Sequence, residues 1–393
     1  MCYYSIMKIL SIETSCDETA VSILETNGTL ESPNFTVLGN ALFSQIEIHR
    51  EYGGVYPNLA KREHTKNLIP LLNSALQEAG MIQANATDID ADMVTEILTR
   101  EPILAEQFLE LIPTIEKPDI DAIAVTYGPG LEPALWVGIN FARALHAVWD
   151  IPIIPVNHME GHIASVLLSN PETLNPEPLI QFPLLALLIS GGHTELVLAK
   201  KWSDYEILGR TRDDAVGEAF DKVARLLGLP YPGGPEISNL AKMSRDANRD
   251  IDIKLPRPMM KTDDFDFSFS GLKTAVLYKV KDENLTDEEK QDMAREFEDA
   301  ATDVLVEKTK KALRETGAQT LVVAGGVSAN TYIRNSIKNM VEGEFPEVSL
   351  LIPEIKLSTD NAVMIAIAGF IRKETGTIPS IDDLSAEGNL ALS

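Results

Sequence analysis

The feature that most constrains the fold is a strand–turn–strand pattern that occurs once in each half of the chain. Near the N-terminus, the apolar run MKILSIET leads through the polar turn SCDETA into a second apolar run, VSILE. Much later, LLALLIS, GGHT and ELVLAK repeat this order of features without repeating the residues. We therefore expect a duplication in which each half begins with a β-hairpin whose tip carries small and hydroxyl residues.

Apolar strand patterns alternate with helical patterns along the rest of the chain, which predicts an α/β architecture. IPIIPV reads as a strand, and the helix that follows it begins at NHMEGH with Asn157 as N-cap. A helix is expected around His64–Gly80, and TLVVAGGVSAN reads as a strand with a glycine turn before a helix. STDNAVMIAIAGFI predicts a helix capped by Ser358 or Thr359.

The predicted organisation is an N-terminal lobe over residues 7–170, a C-terminal lobe over 171–378 and a loosely ordered tail over 379–393. The Pro-rich connector NPETLNPEP supports the boundary between the lobes. The acidic segment 85–116 interrupts the first lobe with apolar residues at helical spacing. It predicts one or two added surface helices, either solvated or docked to a partner.

The formal net charge of −25 argues against a broad grip on nucleic acid, which needs clustered basic residues. Any such contact is expected to be local or shared with a partner, and the local cations to consider are Lys61, Arg62, Arg143, Lys222, Arg225 and Lys273.

The two cysteines suggest no disulfide framework, and the N-terminus lacks a signal-peptide pattern. A cytoplasmic location is the expectation.

His158 and His162 are four residues apart, so a helix places both imidazoles on one face, within reach of a single ion. The alternative is an amphipathic helix with two hydrogen-bonded histidines. A metal would need an oxygen ligand from elsewhere. Asp360, in LSTDNA, is the candidate, with helix capping as its other role.

Paired histidines also suggest a metallopeptidase, but the spacing opposes this. In such enzymes the general-base Glu directly follows the first His. Here Glu160 lies two residues after His158, about 200° around a helix with ~3.6 residues per turn. Its side chain should therefore point away from the ion.

Glycine turns follow apolar runs in LISGGHTE and VAGGVSAN, where backbone N–H groups can approach an anion closely. With the ETSCDET hairpin they suggest a nucleotide held between two halves, although no P-loop is present. Asp221, close before the YPGGP turn, would either accept hydrogen bonds from ribose hydroxyls or pair with Lys222 or Arg225.

Seven blocks together resemble one family. ILSIETSCDETAVSI, NHMEGH, LLISGGHTELVL, GEAFDKVARLLGLPYPGGP, FSFSGLKTAV, VVAGGVSAN and STDNAVMIA stand in the order found in the tRNA threonylcarbamoyladenosine transferases. These are the TsaD-like proteins, once labelled O-sialoglycoprotein endopeptidases or glycoproteases. The resemblance runs from about residue 7 to 371, and its details are similar to the bacterial branch. Segment 85–116 departs from the family pattern as we read it.

The resemblance implies an actin-like ATPase fold of the sugar kinase and Hsp70 type, with two RNase H-like lobes and an interlobe cleft. It implies one divalent ion, iron or zinc, held by His158, His162 and Asp360. The residues expected to contact threonylcarbamoyl-AMP or another adenine nucleotide are Ile189, Ser190, Gly191, Gly192, His193, Asp221, Gly234 and Asn330. Those expected near its phosphate are Ser15, Gly325 and Gly326.

The implied reaction moves the threonylcarbamoyl group from threonylcarbamoyl-AMP to N6 of the adenosine beside the anticodon, in tRNAs that read codons beginning with A. The implied partners are tRNA, an inactive paralogous TsaB-like subunit, a TsaE-like ATPase and an upstream synthase that makes the donor. No side chain is assigned as general base. Two other hypotheses remain: a nucleotide-gated scaffold without catalysis, and the metallopeptidase.

Overall fold

The computed structural model describes residues 6–85, 88–168, 180–281, 283–378 and 384–392. The chain forms two compact units. The first comprises Met1–Glu47, Val55–Leu179 and Asp360–Leu392, and the second comprises Ile48–Gly54 and Ile180–Thr359 with Ser393.

Among the described residues, each unit carries one five-stranded mixed sheet. The strands of the first sheet are β1 (Met7–Glu13), β2 (Glu18–Thr29), β3 (Ser32–Ser44), β4 (Ala122–Gly128) and β5 (Ile153–Asn157). Those of the second are β6 (Leu184–Ile189), β7 (Thr194–Lys201), β8 (Asp204–Arg210), β9 (Thr320–Ala324) and β10 (Ser349–Leu351).

The two sheets share one topology. In the first, of order β3-β2-β1-β4-β5, the strands β1, β2 and β3 are antiparallel neighbours, while β4 and β5 add in parallel beside β1. In the second, of order β8-β7-β6-β9-β10, strands β6, β7 and β8 are antiparallel and β9 and β10 add in parallel. The duplicated hairpins predicted from the sequence are therefore confirmed as the starts of two equivalent sheets.

The helices occupy the sequence between and after these strands. They are α1 (Ile46–Arg50), α2 (Pro57–Glu78), α3 (Ala91–Ile97), α4 (Pro102–Leu111), α5 (Glu132–Trp149), α6 (His158–Ala164), α7 (Val216–Leu226), α8 (Gly233–Asp246), α9 (Ser270–Val280), α10 (Asp287–Thr316), α11 (Thr331–Glu344), α12 (Ile355–Ser358) and α13 (Ala362–Thr375). Within the described parts of the chain, none of them is both long and apolar enough to cross a bilayer.

Helix α13 belongs to the first unit, whereas the predicted boundaries placed it in the second lobe. Every residue from Ala362 to Ile371 is buried, as expected of a helix that is apolar on all sides. The Ser11 hydroxyl of β1 donates to the carbonyl of Ala362 over 2.7 Å.

The N-cap of α13 is Asn361, whose side chain accepts a hydrogen bond from the Met364 N–H. The predicted caps, Ser358 and Thr359, do not have this role. The predicted boundary at residue 170 lies outside the described residues.

The predicted loose tail is wrong for residues 384–392, which pack on the first unit, while 379–383 lie outside the described residues. Leu384 and Leu392 are buried. Hydrogen bonds join the segment to the unit: Arg143 Nη2 to Leu384 O (2.7 Å), Glu387 N to Tyr127 O (2.8 Å), Gly130 N to Gly388 O (3.1 Å) and Asn157 Nδ2 to Ala391 O (3.3 Å). Most of these bonds use the segment's backbone carbonyls, which a polar sequence does not reveal.

The described residues of the acidic segment 85–116 form two helices, α3 and α4, in line with the one or two predicted, but these helices are not merely a solvated addition. The buried Phe108 of α4 meets Phe141 of α5 edge-on, with ring centroids 6.3 Å apart. Val94 and Leu104 are also fully buried in the same core. The segment is therefore part of the first unit's hydrophobic core.

Replacing Phe108 with alanine should lower the free energy of unfolding by about 3–5 kcal/mol, because it leaves a cavity in this core. Ile103, on the same helix, is 41% exposed. The control Ile103→Ala should change the free energy by less than about 0.5 kcal/mol. Urea denaturation measures both values. Equally small losses for the two variants would mean that the segment does not contribute to the core.

Candidate functional site

The two histidines predicted as ligands lie one helical turn apart on α6. Asn157 ends β5 and begins α6, because its side chain accepts hydrogen bonds from the N–H groups of Met159 (2.8 Å) and Glu160 (3.4 Å). This confirms the predicted N-cap. Both imidazoles are buried, with ring centroids 4.7 Å apart.

Asp360 reaches these imidazoles from the turn that precedes α13, in the same unit. Its Oδ1 lies 3.3 Å from His158 Nε2 and 3.1 Å from His162 Nε2. The ligand atoms offered by the three residues all lie within 4.8 Å of one another. Helix capping, the alternative role for Asp360, is performed by its neighbour Asn361.

The geometry of this cluster fits a metal ion. Ligand atoms at about 2.0–2.2 Å from a common ion stand roughly 3.0–3.5 Å apart, and the two distances from Asp360 Oδ1 to the histidine Nε2 atoms lie in this range. Among the described residues, neither ring nitrogen of the buried His162 has a hydrogen-bond partner, although Nε2 is only 3.1 Å from Asp360. An unpaired buried nitrogen costs about 1–3 kcal/mol. Binding of an ion through Nε2 would give one of these two His162 nitrogens a partner.

The electrostatics of the cluster depend on two carboxylates. Burial lowers the pKa of the His158 imidazole, but Asp360 and Glu13 outweigh burial and raise that pKa well above its ordinary value. Burial raises the pKa of Asp360, yet the charge on His158 holds it well below its usual range. The pKa of His162 is lowered by burial and by the charge on His158. The two carboxylates therefore favour the protonated form of His158.

Glu160, the residue that a peptidase would need as general base, has a different partner. It is fully buried, and its carboxylate forms an ion pair with Arg372 of α13. Burial lowers the pKa of Arg372, and Glu160 outweighs that effect and raises it. Because the Glu160 carboxylate is paired with Arg372, it is not placed to act as a general base. This opposes the metallopeptidase hypothesis.

Glu13 is a residue of the site that sequence reasoning missed. It ends β1, is fully buried, and its Oε2 lies 3.2 Å from His158 Nδ1. Ser15, expected near a phosphate, is also buried, with its hydroxyl 3.2 Å from the same nitrogen. A carboxylate at the end of an otherwise apolar strand was the available signal.

In the second unit, two glycine turns meet at the carboxyl ends of the parallel neighbours β6 and β9. The first is closed on itself, because Ser190 N donates to His193 O (2.9 Å) and His193 N donates to Ser190 Oγ (3.1 Å). Gly325, in the second turn, packs against Ile189 of the first. Among the described residues other than their chain neighbours, nothing lies within 4 Å of the Cβ positions at Gly191, Gly192 or Gly326, so each has open space on that side.

Gly325 should tolerate no side chain, because its φ is +93° and a Cβ would lie 2.5 Å from the Ile189 carbonyl oxygen. Gly325→Ala should therefore lower the free energy of unfolding by about 1–3 kcal/mol. The matched control is Gly326→Ala, whose Cβ meets nothing within 4 Å. Chemical denaturation compares the two variants. Similar values would show that the turn does not require glycine at 325.

The other expected nucleotide contacts also lie in the second unit. Asp221 Oδ1 accepts from the Gly233 N–H at 2.7 Å and so holds the start of α8, where Gly234 has open space around its Cβ position. Asn330 caps α11, and its amide nitrogen donates to Ser238 Oγ (2.8 Å) and Glu298 Oε1 (2.7 Å). Asp221 and Asn330 thus have structural roles, and the nucleotide contacts predicted for them stay predictions.

The six cations considered for nucleic-acid contact have partners within the chain. Lys61 lies 3.4 Å from Glu101, Arg62 lies 3.4 Å from Glu63, Lys222 and Lys273 pair with Asp214, and Arg143 and Arg225 donate to the carbonyls of Leu384 and Gly53. Four of the six therefore lie beside a carboxylate, and the other two donate to neutral carbonyls.

Solved structures with a similar fold include two of HypF. One is a crystal structure of full-length HypF in its phosphate- and nucleotide-bound form, with a TM-score of 0.53, 12% identity and coverage of 95% of this chain and 47% of that chain. The other, HypF of T. kodakarensis, also has a TM-score of 0.53 and 12% identity, with coverage of 96% and 49%. The chain thus spans about half of HypF, and the likeness shows the fold alone. Together with the duplicated sheets, it defines a protein of the actin-like ATPase fold.

Sequence comparison identifies the family. The family model described as TsaD: tRNA N6-adenosine threonylcarbamoyltransferase matches residues 36–96 and 102–367. Curated proteins named tRNA N6-adenosine threonylcarbamoyltransferase are 43% identical over 390 residues in Persephonella marina (98% of this chain, 95% of the relative) and 44% over 371 residues in Ralstonia pickettii (93% and 91%). The chain belongs to this family and is a transferase.

The same match corrects the expectation for segment 85–116. Only residues 97–101 of that segment fall between the two matched ranges. The segment is thus largely part of the family pattern rather than a departure from it.

Proposed function

We propose that this enzyme transfers the threonylcarbamoyl group of threonylcarbamoyl-AMP to N6 of the adenosine beside the anticodon, in tRNAs that read codons beginning with A. The observation that carries the proposal is the convergence of His158, His162 and Asp360 in a member of this family. Because the proposed substrate is tRNA, we expect the reaction to occur in the cytoplasm.

In the proposed reaction, N6 attacks the carbamoyl carbonyl carbon, the bond from that carbon to the phosphate oxygen of AMP breaks, and N6 loses a proton. His158, His162 and Asp360 would hold one divalent ion, iron or zinc. When bound, that ion would supply a Lewis acid for the donor carbonyl. Two imidazoles and a carboxylate suit either metal.

The glycine turns would bind the adenylate. The space beside Gly191, Gly192 and Gly326 would let backbone N–H groups of these turns donate to the phosphate, which gains negative charge as AMP leaves. Asp221 and Gly234 lie at the start of α8, and we assign them to the nucleoside part of the donor. The proton lost from N6 is not assigned to any side chain.

The proposal includes partners. The charge of −25 suits an enzyme that shares tRNA binding with other subunits, since a strongly acidic chain repels phosphates. By family resemblance, these are an inactive TsaB-like paralogue and a TsaE-like ATPase, with a separate synthase supplying the donor.

Complementation of a strain that lacks its own transferase tests the function. Mass spectrometry of nucleosides from the tRNA of that strain should show threonylcarbamoyladenosine once this chain and its partners are expressed. Partner binding that depends on nucleotide, with no modified nucleoside, would instead identify a non-catalytic scaffold. Cleavage of peptides by the metal-loaded protein would revive the peptidase hypothesis.

A further inference from the structure

We propose that Glu13 is a positioning residue that holds the His158 imidazole in the tautomer with the proton on Nδ1. This leaves Nε2, the nitrogen that faces Asp360, free to bind a metal. The inference rests on the metal-binding role in the proposed function, but it concerns residues that touch neither the donor nor tRNA.

The Glu13 carboxylate is surrounded by hydrogen-bond donors. Its Oε1 accepts from the Ser15 backbone N–H at 2.5 Å, and its Oε2 accepts from the Thr126 hydroxyl at 2.6 Å. The same Oε2 lies 3.2 Å from His158 Nδ1, and His158 Nε2 lies 3.3 Å from Asp360 Oδ1. Because the carboxylate can only accept, it selects a proton on Nδ1.

The backbone that carries Glu13 is held in place on both sides of the turn. The Thr14 hydroxyl donates to Ala134 O over 3.1 Å, and the Leu131 N–H donates to Ser15 O over 2.7 Å. A Cβ at Gly130 would lie 2.6 Å from the same Ser15 oxygen, so the two turns are in close contact. The carboxylate therefore acts as a fixed acceptor rather than a mobile one.

His162 has no equivalent support. Its Nδ1 is buried without a hydrogen-bond partner among the described residues. In the described parts of the chain, a carboxylate on the side away from Asp360 orients His158 but not His162. We therefore expect the affinity of the pair for a metal to depend strongly on Glu13.

Glu13→Gln separates the roles of the two oxygens. The Ser15 N–H is a fixed donor, so the amide oxygen of Gln should face it and the NH2 group should face Thr126 and His158. The Thr126 hydroxyl can rotate to accept, but His158 Nδ1 can accept only after its proton moves to Nε2. The substitution therefore favours the tautomer that cannot bind a metal through Nε2.

The test measures zinc affinity by competition with a chromophoric chelator, using the full chain. Glu13→Gln should weaken zinc binding about 10–100-fold, the usual effect of losing a partner behind a ligating histidine. Glu63→Gln, a control at another buried carboxylate of the first unit, should stay within about twofold of the parent protein. Ser15→Ala should weaken zinc binding less than Glu13→Gln does.

Two results would overturn the proposal: unchanged zinc affinity in folded Glu13→Gln, or an equal loss in Ser15→Ala, which would make the serine the orienting group. If Glu13→Gln does not fold, nitrogen-15 NMR of the zinc-loaded parent protein decides. It should show His158 bound through Nε2 with a hydrogen-bonded Nδ1–H, and binding through Nδ1 would refute the inference. Both readouts use zinc alone, so they stay interpretable even if no modified nucleoside is ever found.

Discussion

Replacing both His158 and His162 with alanine is expected to remove the bound metal and to lower the rate of tRNA modification by more than about 100-fold. Losing a partner that merely orients a ligating histidine lowers metal affinity or activity about 10–100-fold, and this change removes two proposed ligands. Asp360 would remain as a single carboxylate. Elemental analysis of the purified protein and a nucleoside assay measure the two effects.

The control for this prediction is His146→Ala. His146 lies in the same unit, and its Nδ1 is 2.8 Å from the Ile151 carbonyl oxygen, away from the cluster. This variant should keep its metal and most of its activity. If the double variant at 158 and 162 retained a full complement of metal, the cluster would not be the binding site.

Arg372→Ala should destabilise the first unit by about 3–5 kcal/mol, because it removes the cation paired with the fully buried carboxylate of Glu160. The expected cost is the cost of leaving a buried charge without its counter-ion. Thermal or denaturant unfolding measures it.

Two controls separate this effect from a general loss of side-chain packing. Replacing both Glu160 and Arg372 with methionine should cost less than Arg372→Ala, since no uncompensated charge remains. Lys338→Ala removes an exposed pair with Glu342 and should cost less than about 1 kcal/mol. If Arg372→Ala lowers the free energy of unfolding no more than Lys338→Ala does, the buried pair contributes little to stability.

Much of the fold follows from local patterns in the sequence. The two hairpins, the strand before Asn157 and the helix it caps depend on residues that are neighbours in the chain, and all were predicted. The histidine pair is also local, because four residues make about one helical turn.

The features that were missed depend on contacts between distant residues. Glu13 and His158 are 145 positions apart, and nothing in either segment indicates the other. The apolar pattern of α13 predicts burial but does not say in which unit, and here the helix returns to the first sheet. The tail at 384–392 is held through backbone groups, which carry no compositional signal. Asp360 was a candidate ligand from its place in the sequence, the family resemblance favoured that role over helix capping, and the structure supplies the distances.

The most direct test of the account is the rate of threonylcarbamoyladenosine formation by metal-depleted protein in a reconstituted mixture of tRNA, threonylcarbamoyl-AMP and the partner subunits. We expect the rate to fall at least tenfold after depletion and to return when iron(II) or zinc is added back. Depleted protein that is free of metal by elemental analysis and still forms product at the original rate would contradict it.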